Sequence, residues 1–292
     1  MSRRCAIWPT TELRSAGSTS IGCESIWQHV LSPCERVFQR GLLLPEWRHC
    51  PSCMGVLMMN EPSGLVEDLS EFSGVAPLFP LPDFVLFPQV TQPLHIFEPR
   101  YRTMIADVLN GERLIAIGTL KPNWDSLYVT KTAPVYPEVC LGRVMLEREM
   151  DDGKYIIVIR GLCRARIKAE RLTKTPYRQV ELDLKYDKYS ETPEIHRGNR
   201  RAELLETLIA TLPGADGNRE TTENALKDLP LGVLSDLISS SLKIPTETMI
   251  SILAENNVDV RTDLLLEILR EQQREKQEPG SGRKFPPDFS AN

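Results

Sequence analysis

Five of the seven cysteines crowd into the first 53 residues: Cys5, Cys23, Cys34, Cys50 and Cys53. His49-Cys50-Pro51-Ser52-Cys53 has the spacing of half a zinc knuckle, with thiolate and imidazole donors suited to tetrahedral Zn2+. A second pair would have to be Cys23 and Cys34, eleven residues apart, rather than the close pair of a zinc ribbon. That spacing argues against a metal site. His95, between Leu94 and Ile96, reads as a hydrogen-bonded structural residue, and His196, beside Arg197, as a surface one. Glu98, Arg100 and Arg102 suit ion pairing at a helix start, where the dipole favours a carboxylate. No G-x-x-x-x-G-K-[ST] phosphate loop occurs. Gly280-Ser281-Gly282-Arg283-Lys284 has the wrong spacing and no helical pattern after it. The expectation is therefore a protein without catalytic residues, metal or cofactor.

One cluster of charge stands out. Arg160, Arg164, Arg166, Lys168, Arg171, Lys174 and Arg178 meet a single acid, Glu170. In an extended chain Arg164, Arg166 and Lys168 share one face. Such a face is a candidate for nucleic acid. Aromatic interleaving is poor, however, with only Tyr177 nearby to stack on a base. Glu147, Glu149, Glu181 and Asp183 lie on neighbouring extended runs and can pair across. A solvated, ion-paired face is the favoured reading.

The elements that would position these groups follow from periodicity. Pro77-Leu78-Phe79-Pro80 and Phe84-Val85-Leu86-Phe87-Pro88 read as two short strands closed by prolines, which suit strand ends and edges. An extended arm runs through His95. From Pro99, the residues Tyr101, Ile105, Val108 and Leu109 fall at i, i+4, i+7 and i+8, one helical face, with Gly111 beyond the end. Arg113 to Lys121 reads as a buried strand. Asp152-Gly153 marks a type I′ hairpin, and Ile156 to Ile159, apolar on both faces, a central strand. Val180, Leu182, Leu184 and Tyr186 alternate with polar residues, the pattern of a sheet with one wet face. Residues 122–138 carry three prolines and read as a loop.

After Pro193 the pattern turns helical. Leu204, Leu205, Leu208, Ile209 and Leu212 form one stripe, and Leu229, Val233, Leu234, Leu237 and Ile238 another. Thr246 is placed to cap a third helix carrying Met249, Ile250 and Leu253. A fourth carries Leu265, Ile268 and Leu269. From about Glu271 the chain becomes polar and then rich in Gly, Ser and Pro. The reading is an α+β protein in four parts: a non-globular N-terminal extension over 1–70, a mostly antiparallel β domain over 71–190, a helical subdomain over 191–275, and a disordered tail over 276–292.

Composition agrees with a globular class. Hydrophobic residues make up 41% and charged residues 26% of the chain. A net charge of -5 argues against whole-protein nucleic-acid binding. No apolar run approaches the roughly 18 residues needed to span a bilayer. Residues 1–58 contain no Lys, Asp or Tyr, yet hold three of the four tryptophans, and show no sustained period. An upstream extension with a start at Met58 or Met59 is favoured there over a targeting peptide. An odd cysteine total without a secretion signal points to reduced thiols and a cytoplasmic setting. Cys140 and Cys163, in expected strands, read as small buried hydrophobes.

Three blocks resemble one family. The first is the opening segment from Ala76 to Leu109. The second runs from Val139-Cys140-Leu141-Gly142-Arg143-Val144 through the Asp151-Asp152-Gly153 hairpin and Ile156 to Gly161, and closes on Arg164-Ala165-Arg166-Ile167. The third is Asn257-Val258-Asp259-Val260-Arg261-Thr262-Asp263-Leu264-Leu265-Leu266. In this order they resemble the N-terminal, substrate-engaging domain of Lon-type ATP-dependent proteases, over roughly residues 75–270. The resemblance implies a partly closed, PUA-like β domain followed by a small helical bundle. It implies no ATPase or Ser-Lys protease module, since neither has residues here. The expected function is non-enzymatic binding of unfolded or hydrophobic polypeptide by a free-standing relative of that domain, with presentation to an ATP-dependent protease or chaperone. Phe84 and Phe87 are the candidate binding residues, chosen from Phe79, Phe84, Phe87 and Phe97. The alternative is an RNA-binding module using the basic strand around Arg164, since the Lon domain fold is related by resemblance to RNA-binding PUA domains. No membrane partner is expected.

Overall fold

A computed structural model describes residues 69–191, 197–211, 226 and 228–277. The expectations for the first 68 residues, zinc ligation included, and for the tail beyond 277 lie outside the described residues. The chain order is β1 (Val75–Leu81), β2 (Thr91–Ile96), α1 (Pro99–Leu109), β3 (Leu114–Leu120), β4 (Val135–Glu149), β5 (Tyr155–Arg171) and β6 (Arg178–Lys185), then α2 (Arg197–Thr211), α3 (Leu231–Ser241), α4 (Thr246–Ala254) and α5 (Val258–Gln277). The class is α+β. Six strands form one sheet in the order β2-β5-β4-β3-β1-β6, and β6 also pairs β5. That last pairing closes β5, β4, β3, β1 and β6 into a barrel and leaves β2 attached outside the ring. All pairings are antiparallel except β1 with β3.

The length of β5 makes this possible. Ile156 to Ile159 are buried, and the strand lies centrally as its apolar run predicts. One edge of β5 serves two neighbours in turn: β2 along residues 155–160 and β6 along 164–171. Between them the incoming chain binds the β5 backbone directly. Gln89 N–H donates to the Gly161 carbonyl at 2.8 Å, and Gly161 N–H donates to the Val90 carbonyl at 2.9 Å. A Cβ at Gly161 would collide with the Phe87 carbonyl oxygen, so this close approach needs glycine.

The opening segment differs from its sequence reading in two ways. The run Phe84–Pro88 is buried irregular chain, not a strand, and the arm through His95 is strand β2. Positive φ at Asp83 and Gln89 bends the chain at both ends of that run. Apolar side chains on every side suit it to the core in place of a pleat. β1 in turn keeps its prolines while paired on both sides, because the pairings are staggered. Pro77 lies where β1 faces β6, and Pro80 where it faces β3.

The hairpin at Asp152-Gly153 is present, with a different turn. Met150 N–H donates to the Lys154 carbonyl and Gly153 N–H to the Met150 carbonyl, both at 2.8 Å. Of the turn residues only Gly153 has positive φ, at 72°. This is a three-residue loop with glycine in the left-handed position, not the two-residue type I′ turn.

Thr246 does not cap α4. Pro245, at φ -54°, is the N-cap, and Thr246 is the first helical residue. Two cores lie on opposite faces of the sheet. One contains Leu78, Ala116, Leu141, Val180 and Leu182. The other contains Phe79, Phe87, Tyr101, Ile117 and Ile157 together with Leu234, Ile252 and Leu265 of the helices. The helices thus complete a core that the sheet begins.

Candidate apolar binding surface

Phe84 and Phe87 are core residues, only 7% and 0% exposed, so the sequence-based choice of these two as surface contacts is corrected. Their rings fill the space between the sheet and the helices. Phe79 is buried with them, and Phe97 is the one of the four that faces solvent, at 54%. The reason is strand period. Leu94 and Ile96 of β2 point into the core, so His95 and Phe97 point away. The helix begins at Pro99, which ends the strand before anything covers the ring.

Two neighbours build the surface around Phe97. The β2–β5 register ends at Ile96 opposite Tyr155, at the foot of the hairpin loop, where Met150, itself exposed, bonds to Lys154. The His95 ring lies 5.8 Å from that of Phe97, centroid to centroid. The second neighbour is a clasp at the start of α1. Glu98, the N-cap residue, pairs with Arg100 at 3.0 Å and accepts a short hydrogen bond from the Tyr128 hydroxyl. Arg100 donates to the Tyr128 carbonyl at 2.9 Å and lies against the rings of Tyr101 and Tyr128 at 4.5 and 4.8 Å. The clasp ties the 122–134 loop to the end of the barrel, where Leu127 and Val129, the latter 87% exposed, flank Tyr128. The expected pairing of Glu98 with Arg100 is present; Arg102 instead reaches over Gly153 of the hairpin.

The electrostatics of this surface favour contact over chemistry. Burial, aided by the Lys154 charge, pulls the His95 imidazole down to about 4, so it is neutral near pH 7. Burial pushes the Tyr101 phenol up to about 12, and burial together with the Glu98 hydrogen bond pushes Tyr128 higher still. Both thiols among the described residues are buried; burial raises Cys163 to about 11 and Cys140 further. Among the described residues no three His, Cys, Asp or Glu side chains could hold a metal ion. What the surface offers is a set of exposed apolar side chains on a rigid frame.

The basic strand does not form the alternative site. Arg164 is buried, not exposed. Its guanidinium grips Asp236 of α3 from both terminal nitrogens and reaches Asp187 at 3.2 Å. The Asp187 carboxylate also accepts from Arg261 of α5 at 2.8 Å. Arg164 therefore bonds the barrel to the helices and is not part of an exposed basic face. The residues beyond it on β5 are exposed and paired as the sequence suggested: Arg166 with Glu138 at 3.4 Å, Lys168 with Asp183 at 3.7 Å, Arg171 with Glu181 at 2.9 Å. No sequence signal near Arg164 marks its burial, because its partner Asp236 lies on a helix far along the chain.

Known proteins place this architecture. Residues 75–271 match the family model of the ATP-dependent protease La (LON) substrate-binding domain. Lon protease 2 of Myxococcus xanthus is 27% identical over 216 residues, covering 71% of this chain and 25% of that protein. The Lon protease of Desulfosudis oleivorans is 27% identical over 203 residues, covering 68% and 24%. The chain thus spans about a quarter of the length of the curated relatives it matches. Among solved structures, the N-terminal domain of the Mycobacterium avium complex Lon protease matches with a TM-score of 0.51 at 16% identity, over 66% of this chain and 96% of that one. A Lon N-terminal domain protein from Xanthomonas campestris matches with a TM-score of 0.49 at 19% identity, over 66% and 97%. The family match runs without a break from β1 into α5, through barrel and helices alike, and the chain belongs to the Lon substrate-binding domain family.

Proposed function

We propose that this chain binds unfolded or hydrophobic polypeptide without catalysing any reaction on it, and that it holds such segments for an ATP-dependent protease or chaperone. The observation that carries this reading is the exposed Phe97, at the end of β2 on a domain of the Lon substrate-binding family. A large ring held in solvent by the end of a strand is ready to bury against a partner without reorganisation. The matched region is a substrate-binding domain, and the thiols, imidazole and carboxylates described above are occupied in structure.

Binding of a permanently unfolded, reduced protein, followed across a salt series, tests the reading. Removing the Phe97 ring takes away about 1–3 kcal/mol of contact energy, which weakens binding by roughly tenfold or more. Phe97→Ala combined with Met150→Ala should therefore lose binding, while Arg166→Ala with Lys168→Ala should keep it. Apolar binding should also change little between low and high salt, whereas phosphate-driven binding falls steeply. Loss of binding in the Arg166/Lys168 pair alone, or a steep salt dependence, refutes the polypeptide reading in favour of an acidic partner.

A further inference from the structure

A second concavity lies at the junction of barrel and helices, with a volume of about 210 Å³. Its apolar wall is made by Pro88, Leu162, Pro230 and Val233 and by the rings of Tyr186 and Tyr189. Arg164, Asp187 and Asp236 stand at its polar side. Those charges are already answered: with Arg261 they make a closed set of two guanidiniums and two carboxylates, and Lys185 at the rim pairs with Asp183 at 2.5 Å. The charges of the cavity are therefore balanced, with the buried Nε of Arg164 left as its one lining side-chain nitrogen without a hydrogen-bond partner among the described residues.

The rim is tied down by hydrogen bonds and its two tyrosines reach solvent. Tyr186 and Tyr189 are both about half exposed. The segment bearing them is pinned to the start of α5 by a bridge between Lys188 and Asn257, with two backbone hydrogen bonds of 2.8 Å. Ser190 N–H donates to Asp259 at 2.9 Å just beyond. The guanidinium of Arg197 lies 5.0 Å from the centre of the Tyr189 ring. Across the cavity Gln89 sits in a buried wall with φ at 62°, a conformation costly for a residue with a side chain. Gly232 lacks the Cβ that would strike the Asp187 carboxylate, which lets that carboxylate pack closely on α3. A preformed, charge-balanced, partly aromatic pocket of this size takes one large side chain and exceeds the needs of a water molecule.

We propose that this cavity is an anchor pocket for one large apolar side chain of a bound polypeptide, aromatic in preference to aliphatic. The two tyrosine rings and two prolines give flat faces for an aromatic ring, and the hydroxyl, carboxylate and ammonium groups of the rim lie where the flanking peptide amides would pass. This rests on the polypeptide reading above, and single blocked residues as probes separate it from the Phe97 surface.

The test is calorimetric or NMR titration of the full chain with N-acetyltryptophanamide, N-acetylleucinamide and N-acetylglycinamide. The tryptophan probe should bind with a Kd of about 1 mM or tighter, the leucine probe more weakly, and the glycine probe not at all. Val233→Trp, which fills the cavity from α3, should weaken the tryptophan probe by at least about tenfold. Tyr189→Ala, an exposed position, should weaken it too, and it decides the matter if the Val233 variant fails to fold by circular dichroism. Phe97→Ala should leave probe binding unchanged. The proposal is overturned if the wild-type protein binds no tryptophan probe, if leucine binds as well as tryptophan, if folded Val233→Trp or Tyr189→Ala binds like wild type, or if Phe97→Ala removes binding. Retained probe binding with lost unfolded-protein binding in Phe97→Ala would show that the two sites are separate.

Discussion

Asp236→Asn should be among the most damaging single changes in the helical part of this protein. The carboxylate is 2% exposed and sits between two guanidiniums: Arg164 at 2.9 Å through Nη1, and Arg261 at 3.5 Å through Nε. The amide keeps the shape and removes the charge. Arg164 and Arg261, 3% and 0% exposed, are then left to share Asp187, itself about one third open to solvent. Removing one partner of a buried pair costs about 3–5 kcal/mol because the other charge stays buried without it. That is a large part of a typical total stability of roughly 5–15 kcal/mol. With a urea slope of about 1–3 kcal/mol per molar, the unfolding midpoint should fall by roughly 1–5 M. The control is Arg166→Ala, which breaks an exposed pair and should cost under about 1 kcal/mol. A double variant, Arg164→Met with Asp236→Leu, leaves Asp187 still bonded to Arg261 at 2.8 Å. It should be far less harmful than the sum of its single changes. If Asp236→Asn unfolds at the same urea concentration as Arg166→Ala, or if the two single costs simply add, the buried network does not hold the helices to the barrel.

Asp259 gives a pH signature. Hydrogen bonds from Arg197, foremost, hold its carboxyl at about 2, below the ordinary 3.8. Its stabilisation is present above the ordinary value and is lost as pH falls through the folded one, so Asp259→Asn should flatten the stability profile between about pH 4 and 2 by about 1–2 kcal/mol; an unchanged acid slope in urea melts would contradict this. Gly153→Val places a branched residue at positive φ and directs its Cβ at the Arg102 guanidinium, and should cost about 1–2 kcal/mol while Asp151→Ala stays near neutral. Equal melting temperatures for those two would refute it. Gly161→Ala drives a methyl against the Phe87 carbonyl and should destabilise by about 1–3 kcal/mol, read as a lowered urea midpoint.

The barrel was legible in the sequence wherever one face of an element is wet. The alternation of β6 and the helical spacing of α1 each report a boundary between core and solvent, and both elements form where that spacing places them. Legibility fails where every side is dry. Phe84 to Val90 has no polar face to set a period, so a strand and a buried irregular crossing look alike from composition. The two differ only in where the backbone hydrogen bonds go, and here they go to Thr119 and Gly161, far along the chain. Closure is equally hidden. It depends on β5 being long enough to pair two strands in succession on one edge, and strand length without a turn signal is not a local property.

The two readings of the surface failed for opposite reasons, and the difference is instructive. Phe84 and Phe87 looked exposed because prolines flank them, yet a proline removes only a hydrogen-bond donor and says nothing about which way the next ring points. Arg164 looked exposed because arginine usually is, and because Arg166 and Lys168 share its strand face. Burial there is decided by Asp236, which supplies the countercharge from a helix more than 70 residues further on. Phe97 follows from a rule that was available. Once Leu94 and Ile96 are taken as the inward pair of β2, a period of two puts Phe97 outward, and Pro99 stops the strand before another element can cover the ring. The exposed ring that a partner could cover is therefore one that local periodicity could place. The residue that ties the barrel to the helices is one that only the assembled fold could.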